Sequence, residues 1–183
     1  MKIRPGKVTP ETGRINTGGR LIVLLSFILL APGGQAAGRL IELEDFSWGL
    51  PLDEVARRAE DHGYRLRKKD TTRPEPHLEY RAFLYGGECR ILFAFTPITG
   101  KLHTATVTWR GEGFGDYLRG ELVKELGRPR EEIPGAKISI WTRRHTELNL
   151  RIGRKETTLT YIHLHFRKEA REERIILRQD ETE

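Results

Sequence analysis

Cysteine is almost missing from this chain of 183 residues: Cys89 is the only one. That excludes an intrachain disulfide and any metal site assembled from several thiolates. Long apolar runs are missing as well. The longest, LIVLLSFILLA at residues 21–31, falls far short of the roughly 20 apolar residues that a bilayer-spanning helix needs, which excludes a polytopic membrane protein. Aromatic residues make up only 8% and hydrophobic residues 37%, still enough for a modest core and enough to exclude wholesale disorder. The length suits one domain or two small ones.

An excess of charge of one sign is also largely absent once the start of the chain is set aside. There are 32 Lys and Arg against 26 Asp and Glu, a formal +6. Residues 1–36 contain Lys2, Arg4, Lys7, Arg14 and Arg20 with only Glu11 opposing them. A basic segment, an apolar run and then the helix breakers Pro32, Gly33 and Gly34 follow the order of an export signal, with Gly34 and Ala36 as the small residues that signal peptidase reads. The expected cut lies between Ala36 and Ala37; an uncleaved anchor is the alternative reading of the same helix. No cysteine stands directly after the run, which argues against a lipid-anchored lipoprotein. Without residues 1–36, 27 bases face 25 acids, so the high pI belongs to the leader and no nucleic-acid partner is expected. The expectation is a periplasmic or secreted protein with no integral membrane span after cleavage.

Beyond a short strand expected at 40–46, helix and strand signals alternate. Pro51, the acidic pair Asp53 and Glu54, and the closing Gly63 frame a helix whose Leu52, Val55, Ala56 and Ala59 fall at i, i+3, i+4 and i+7. The basic stretch RLRKKDTTRPEP at 65–76 reads as a short strand and a loop. Residues 79–85, 89–95 and 102–109 then read as strands separated by Gly86-Gly87 and by the turn at 97–100. In the middle strand Cys89, Ile91, Phe93 and Phe95 share a face, and in the last Ala105, Val107 and Trp109 do. The pattern restarts with a helix at Gly115-Asp116, striped by Leu118, Leu122 and Leu126 and ended by Gly127 and Pro129. Strands are predicted at 136–141, 148–152 and 157–166, the last turning Ile162, Leu164 and Phe166 inward. The charged tail at 167–183 suits an extension of that strand or a frayed helix. The predicted fold is therefore α+β: two αβββ halves, 37–110 and 111–183, forming an antiparallel sheet with the helices packed on one face.

The segment Gly49-Leu50-Pro51-Leu52-Asp53-Glu54-Val55, followed by a helix and a meander, resembles the small bacterial envelope proteins of the BamE/SmpA type. The tandem arrangement is similar to that of the β-lactamase-inhibitor proteins. The resemblance implies a non-enzymatic module that presents a sheet face or loops to another protein.

Residue patterns that carry catalytic chemistry are sparse. Gly111-Glu112-Gly113-Phe114-Gly115-Asp116 sits between strand and helix as a dinucleotide loop would, but Asp116 stands where the last glycine belongs and would repel a pyrophosphate. No Ser lies in a G-x-S-x-G elbow, and Cys89 on an apolar face is a core thiol. The pairs Asp53 with Glu54 and Glu131 with Glu132 are adjacent in sequence and point apart. His163 and His165 alternate on the expected last strand, the geometry in which two rings can meet a metal, with His103, His145 and Glu147 as further ligand candidates. The plainer reading puts His163 and His165 on the solvated side of that strand. No cofactor and no enzymatic activity are expected.

Basic clusters occur at Arg65, Arg67, Lys68 and Lys69, at Arg143 and Arg144, and at Arg151, Arg154 and Lys155. The expected interaction face gathers Arg143, Arg144, Arg151, Tyr161, His163 and His165, suited to another envelope or secreted protein or to an anionic glycan or lipid head group. An ordinary solvated face, balanced by Glu147 and Glu156, is its alternative. The function expected is that of an exported protein-binding or envelope-assembly module. Its alternatives are an inhibitor of a secreted hydrolase, presenting the Gly86-Gly87 and 97–100 turns, and a metal-dependent hydrolase using the histidine face.

Overall fold

The computed structural model describes residues 43, 46–72 and 74–180. The expected export segment, its cut at Ala36 and Ala37, and most of the expected strand at 40–46 lie outside them. The described residues fall in one compact unit, 33–183, and none of their helices is long and apolar enough to cross a membrane.

The first helix, α1 (Leu52–Asp61), forms where the punctuation places it. Pro51 precedes it in extended geometry, and Asp53 and Glu54 occupy the first turn, where the helix dipole favours anions. It ends in a Schellman motif: Gly63, at φ +73°, donates to the Glu60 carbonyl at 2.8 Å, and Tyr64 donates to that of Ala59 at 2.9 Å. Only glycine adopts that φ without strain. Val55 and Ala59, the inner pair of the stripe, are fully buried.

Four strands follow: β1 (Arg65–Asp70), β2 (His77–Leu84), β3 (Gly87–Phe95) and β4 (Leu102–Arg110). After α2 (Phe114–Leu126) come β5 (Glu131–Ile133), a 3-10 turn at Pro134–Ala136, β6 (Ile138–Arg143), β7 (Thr146–Ile152), β8 (Glu156–His163) and a third helix, α3 (Leu164–Asp180). The strands make one antiparallel sheet in the order β1-β2-β3-β4-β8-β7-β6-β5, so β4 and β8 form its centre. Its two edges are blunted differently. β1 exposes Arg65, Arg67, Lys68 and Lys69, whereas β5 is three residues long, carries Glu131 and Glu132, and stops at Pro134. Charge and shortness are both common ways to discourage edge pairing.

One face of the sheet builds the core. Leu78 and Tyr80 of β2, Ile91 and Phe93 of β3, Val107 and Trp109 of β4, Leu159 of β8 and Leu150 of β7 are all essentially inaccessible. Val55 and Ala59 of α1 and Leu118 and Leu122 of α2 close over them. Cys89 lies in the same cluster, as its alternation with Ile91 and Phe93 predicts. Gly115 is required at the contact between α2 and the sheet, since a Cβ there would stand 2.6 Å from Ile152 Cγ2 and 2.8 Å from Thr157 Oγ1.

Three expectations need correction. Each of the first two helices is followed by four strands, not three, because β1 and β5 join the sheet. The last strand stops at His163, and Leu164 and Phe166 belong to α3; Leu164 is exposed. The tail is thus helical to Asp180, driven by residues of good helix propensity and by Phe166, Ala170 and Glu173 at i, i+4 and i+7. Finally, α3 does not share the face of α1 and α2. Phe166 meets Gly49 on the core side, while Arg174 reaches a hollow lined by Leu92 and Ala94 of the opposite face, so α3 crosses the end of the sheet.

Candidate functional site

Strand periodicity gives the sheet a second face. At its centre the pairs Thr106↔Thr160 and Thr108↔Thr158 stand back to back with the core residues, with Leu92 and Ala94 to one side and Asn149 and Arg151 to the other. The two described helices that build the core, α1 and α2, lie on the far side of the sheet. α3 covers only the end of this open face, where Ile162 and His103 are buried. Toward the other end, a hollow of about 370 Å³ around Thr108 interleaves Arg67, Arg81, Arg90 and Arg110 with Glu79 and Glu156. Arg81 and Glu88 pair at 3.5 Å. On the same face Phe83 is 71% exposed, the most exposed large hydrophobic side chain among the described residues.

His103 is the extra residue of a β-bulge: Phe95 faces Leu102 and Ala94 faces Thr104, leaving His103 unpaired between them. It is 6% exposed; Nδ1 meets Thr104 Oγ1 at 2.7 Å, and Nε2 is buried without a partner among the described residues. Burial, with Arg174 and Arg167 nearby, lowers its pKa to about 4. Nearby, Glu173 of α3 accepts from the Ile98 amide at 2.6 Å and from Thr99 Oγ1 at 2.7 Å, which ties the 97–100 turn to the helix.

The core face is not closed everywhere. Between Leu43, Phe46, Ser47 and Trp48 and the end of α2 opens a hollow of about 530 Å³. Its apolar lining includes Phe46, Leu102, Ala105, Leu126 and Leu148, and its polar side is made by Arg143, Arg144, His145 and His163. No carboxylate lines it among the described residues. Arg144 belongs to the tight turn between β6 and β7 and holds φ +55°, a strained conformation for a residue with a side chain. Trp48 is fixed at the same place by donating to Thr146 Oγ1 at 3.0 Å.

The six residues expected to share an interaction face are therefore divided. Arg143, Arg144, Tyr161 and His163 surround the hollow, Tyr161 as part of its buried lining. Arg151 pairs across from Thr158 on the open face, and His165 is exposed on α3. The expected His-x-His pair on one strand face is broken by the helix that starts at Leu164. His163 Nδ1 instead accepts the Phe166 amide at 3.4 Å, as a helix cap does. Burial, with His145 and His165 close by, lowers the pKa of His163. Ring centroids of His145 and His163 stand 6.2 Å apart and those of His163 and His165 6.5 Å. Among the described residues no group of three His, Cys, Asp or Glu could hold a metal ion.

The turns named for an inhibitor are also separated. Tyr85-Gly86 leads into β3 and the 97–100 turn leaves it, so they occupy opposite ends of one strand. The loop Gly111–Gly113 uses positive φ at both glycines to pass from β4 into α2, and the Gly111 amide is spent on the Lys155 carbonyl at 3.0 Å. Phe83 could have been found by strand parity alone, since it alternates with Glu79 and Arg81 against Leu78, Tyr80 and Leu84. The bulge that buries His103 left no such signal. No family model matches the chain, and no curated protein or solved structure matches it either.

Proposed function

We propose that the chain is an exported, non-catalytic module that binds another envelope or secreted protein through the open face of its sheet. In this reading the two halves are α1 with β1 to β4 and α2 with β5 to β8, meeting at β4 and β8, in the manner of the envelope and inhibitor proteins it resembles. The observation that carries the proposal is Phe83, a large aromatic side chain 71% exposed beside Arg81 on a face that α1 and α2 leave uncovered. Aromatic residues and arginine are enriched where proteins meet, and lysine is depleted. The cations interleaved around Thr108 are all arginines, and acids alternate with them. A surface of mixed sign suits a folded protein partner better than a polyanion, which would meet Glu79 and Glu156 as well.

The test begins with the tagged full chain, crosslinked in its native cells and purified from the envelope, and continues with the protein it captures. The affinity of that protein is measured for the wild type, Phe83→Ala and Arg144→Glu. Loss of an anchor of at least 2 kcal/mol corresponds to roughly 30-fold weaker binding for Phe83→Ala, with Arg144→Glu unchanged. Equal affinity for wild type and Phe83→Ala, or capture of no protein in stoichiometric amount, overturns the proposal.

A further inference from the structure

The hollow on the core face has a neighbour. Across Leu126 and Arg143, which line both, lies a second hollow of about 270 Å³ bordered by Arg128 and Arg130, with Glu125 as its one carboxylate. Arg128, Arg130, Arg143 and Arg144 form no ion pair within the described residues. Elsewhere on the molecule exposed bases do find acids: Arg57 with Glu54 and Asp61, Lys124 with Glu121, and Lys101 with Glu169. Among the described residues these four guanidinium groups at one end of an apolar hollow outnumber the single carboxylate, Glu125, that lines either hollow, and the backbone of Arg144 is held in a strained turn at that place.

The geometry points to a binding site for a single-chain amphiphile with a phosphate head: the chain in the apolar hollow, the head between Arg128, Arg130 and Arg143. The larger hollow lies within the volume range of small-molecule sites, and a largely apolar lining with a few convergent polar groups is their usual composition. Guanidinium groups match phosphate oxygens with two parallel hydrogen bonds, which a carboxylate head would exploit at fewer positions. The ligand is taken as a monomer, because the apolar part is a hollow beneath Trp48 and the β6–β7 turn and not a flat patch that could lie on a bilayer. This site is on the side of the sheet opposite the face proposed for the protein partner, and the two readings stand or fall separately.

Isothermal titration of the full chain with dodecyl phosphate, decyl phosphate, dodecanol and inorganic phosphate, all as monomers, tests it. Dodecyl phosphate is expected to bind one per chain. Two fewer methylenes in decyl phosphate should weaken binding roughly 15-fold, from about 0.8 kcal/mol per buried methylene. Inorganic phosphate and dodecanol should each bind far more weakly. The double variant Arg128→Gln/Arg130→Gln, exposed positions whose change leaves the core intact, should lose at least tenfold for dodecyl phosphate and little for dodecanol. Wild-type affinity in that variant, the result that uptake by the apolar residues 21–31 would give, overturns the proposal. Absence of dodecyl phosphate binding overturns it too, as does binding seen only with vesicles of anionic phospholipid, or inorganic phosphate binding as tightly as the amphiphile.

Discussion

Phe83 and Phe93 lie on the same hairpin and have opposite fates. Phe93 is inaccessible, stacked on Phe46 at a centroid distance of 4.8 Å and edge-on to Tyr80 at 6.0 Å. Phe83, ten residues earlier on the adjacent strand and of the other parity, stands in solvent. The difference repeats across the sheet: Val107 and Leu159 are covered by helices while Thr106 and Thr160, their neighbours in sequence, are not. Burial of one face against α1 and α2 supplies the stability, since apolar area removed from water is the main favourable contribution to folding. The other face is then free to carry side chains chosen for something else. Where cover on the first face is incomplete, beside Leu126 and Trp48, Arg143 and Arg144 stand next to apolar lining residues.

The largest expected effect comes from breaking the covered side. Phe93→Ala should lower unfolding free energy by about 3–5 kcal/mol in denaturant titration, whereas Phe83→Ala should stay within about 0.5 kcal/mol of the wild type. If the two phenylalanines cost the same, the faces are not different in kind.

A second break uses pH. His103 titrates near pH 4 when folded and near 6.5 when unfolded, so the unfolded chain binds the extra proton between these values. Its contribution is complete above about pH 6.5 and is lost as pH falls through 4. The loss is on the order of 3 kcal/mol. Arg174 and Arg167 oppose its protonation, while Glu75 and Glu173 favour it. The difference in unfolding free energy between pH 7 and pH 4 should be smaller by that amount in His103→Gln than in the wild type.

A smaller effect sharpens the comparison at the helix side. Gly115→Ala should destabilise by about 1–3 kcal/mol through the clash with Ile152 and Thr157, although alanine favours a helix over glycine by about 1 kcal/mol. Gly120→Ala in the same helix, where an added Cβ meets nothing within 4 Å, should instead be neutral or stabilising.

Much of this division can be read from the order of side chains. β2 to β4 are bounded by Gly and Pro and alternate cleanly, and α1 and α2 carry their stripes and stops, so their cores at Val55, Phe93, Trp109 and Leu118 follow from spacing. Three features do not. β5 is Glu131-Glu132-Ile133, wholly exposed, and offers no alternation because it pairs on one side only. Ile162, Leu164 and Phe166 have strand spacing, yet the chain turns helical after His163, where the Leu164 amide bonds to the His145 carbonyl at 2.9 Å. That contact between distant segments has no local trace. For the site, basic residues were visible but their grouping was not. Arg143 and Arg151 are on paired strands, and only the register Arg143↔Thr146 and Ile138↔Arg151 places them at opposite ends and on opposite faces.

The central claim is that a protein partner meets the open face. Site-specific photocrosslinking addresses it most directly, with a benzophenone side chain placed in the full chain at Thr106 or, on the outer side of α1, at Arg57, and irradiation in the native envelope. The account predicts a discrete adduct from position 106 and none from position 57. An adduct from 57 with none from 106, or equal adducts from both, would contradict it.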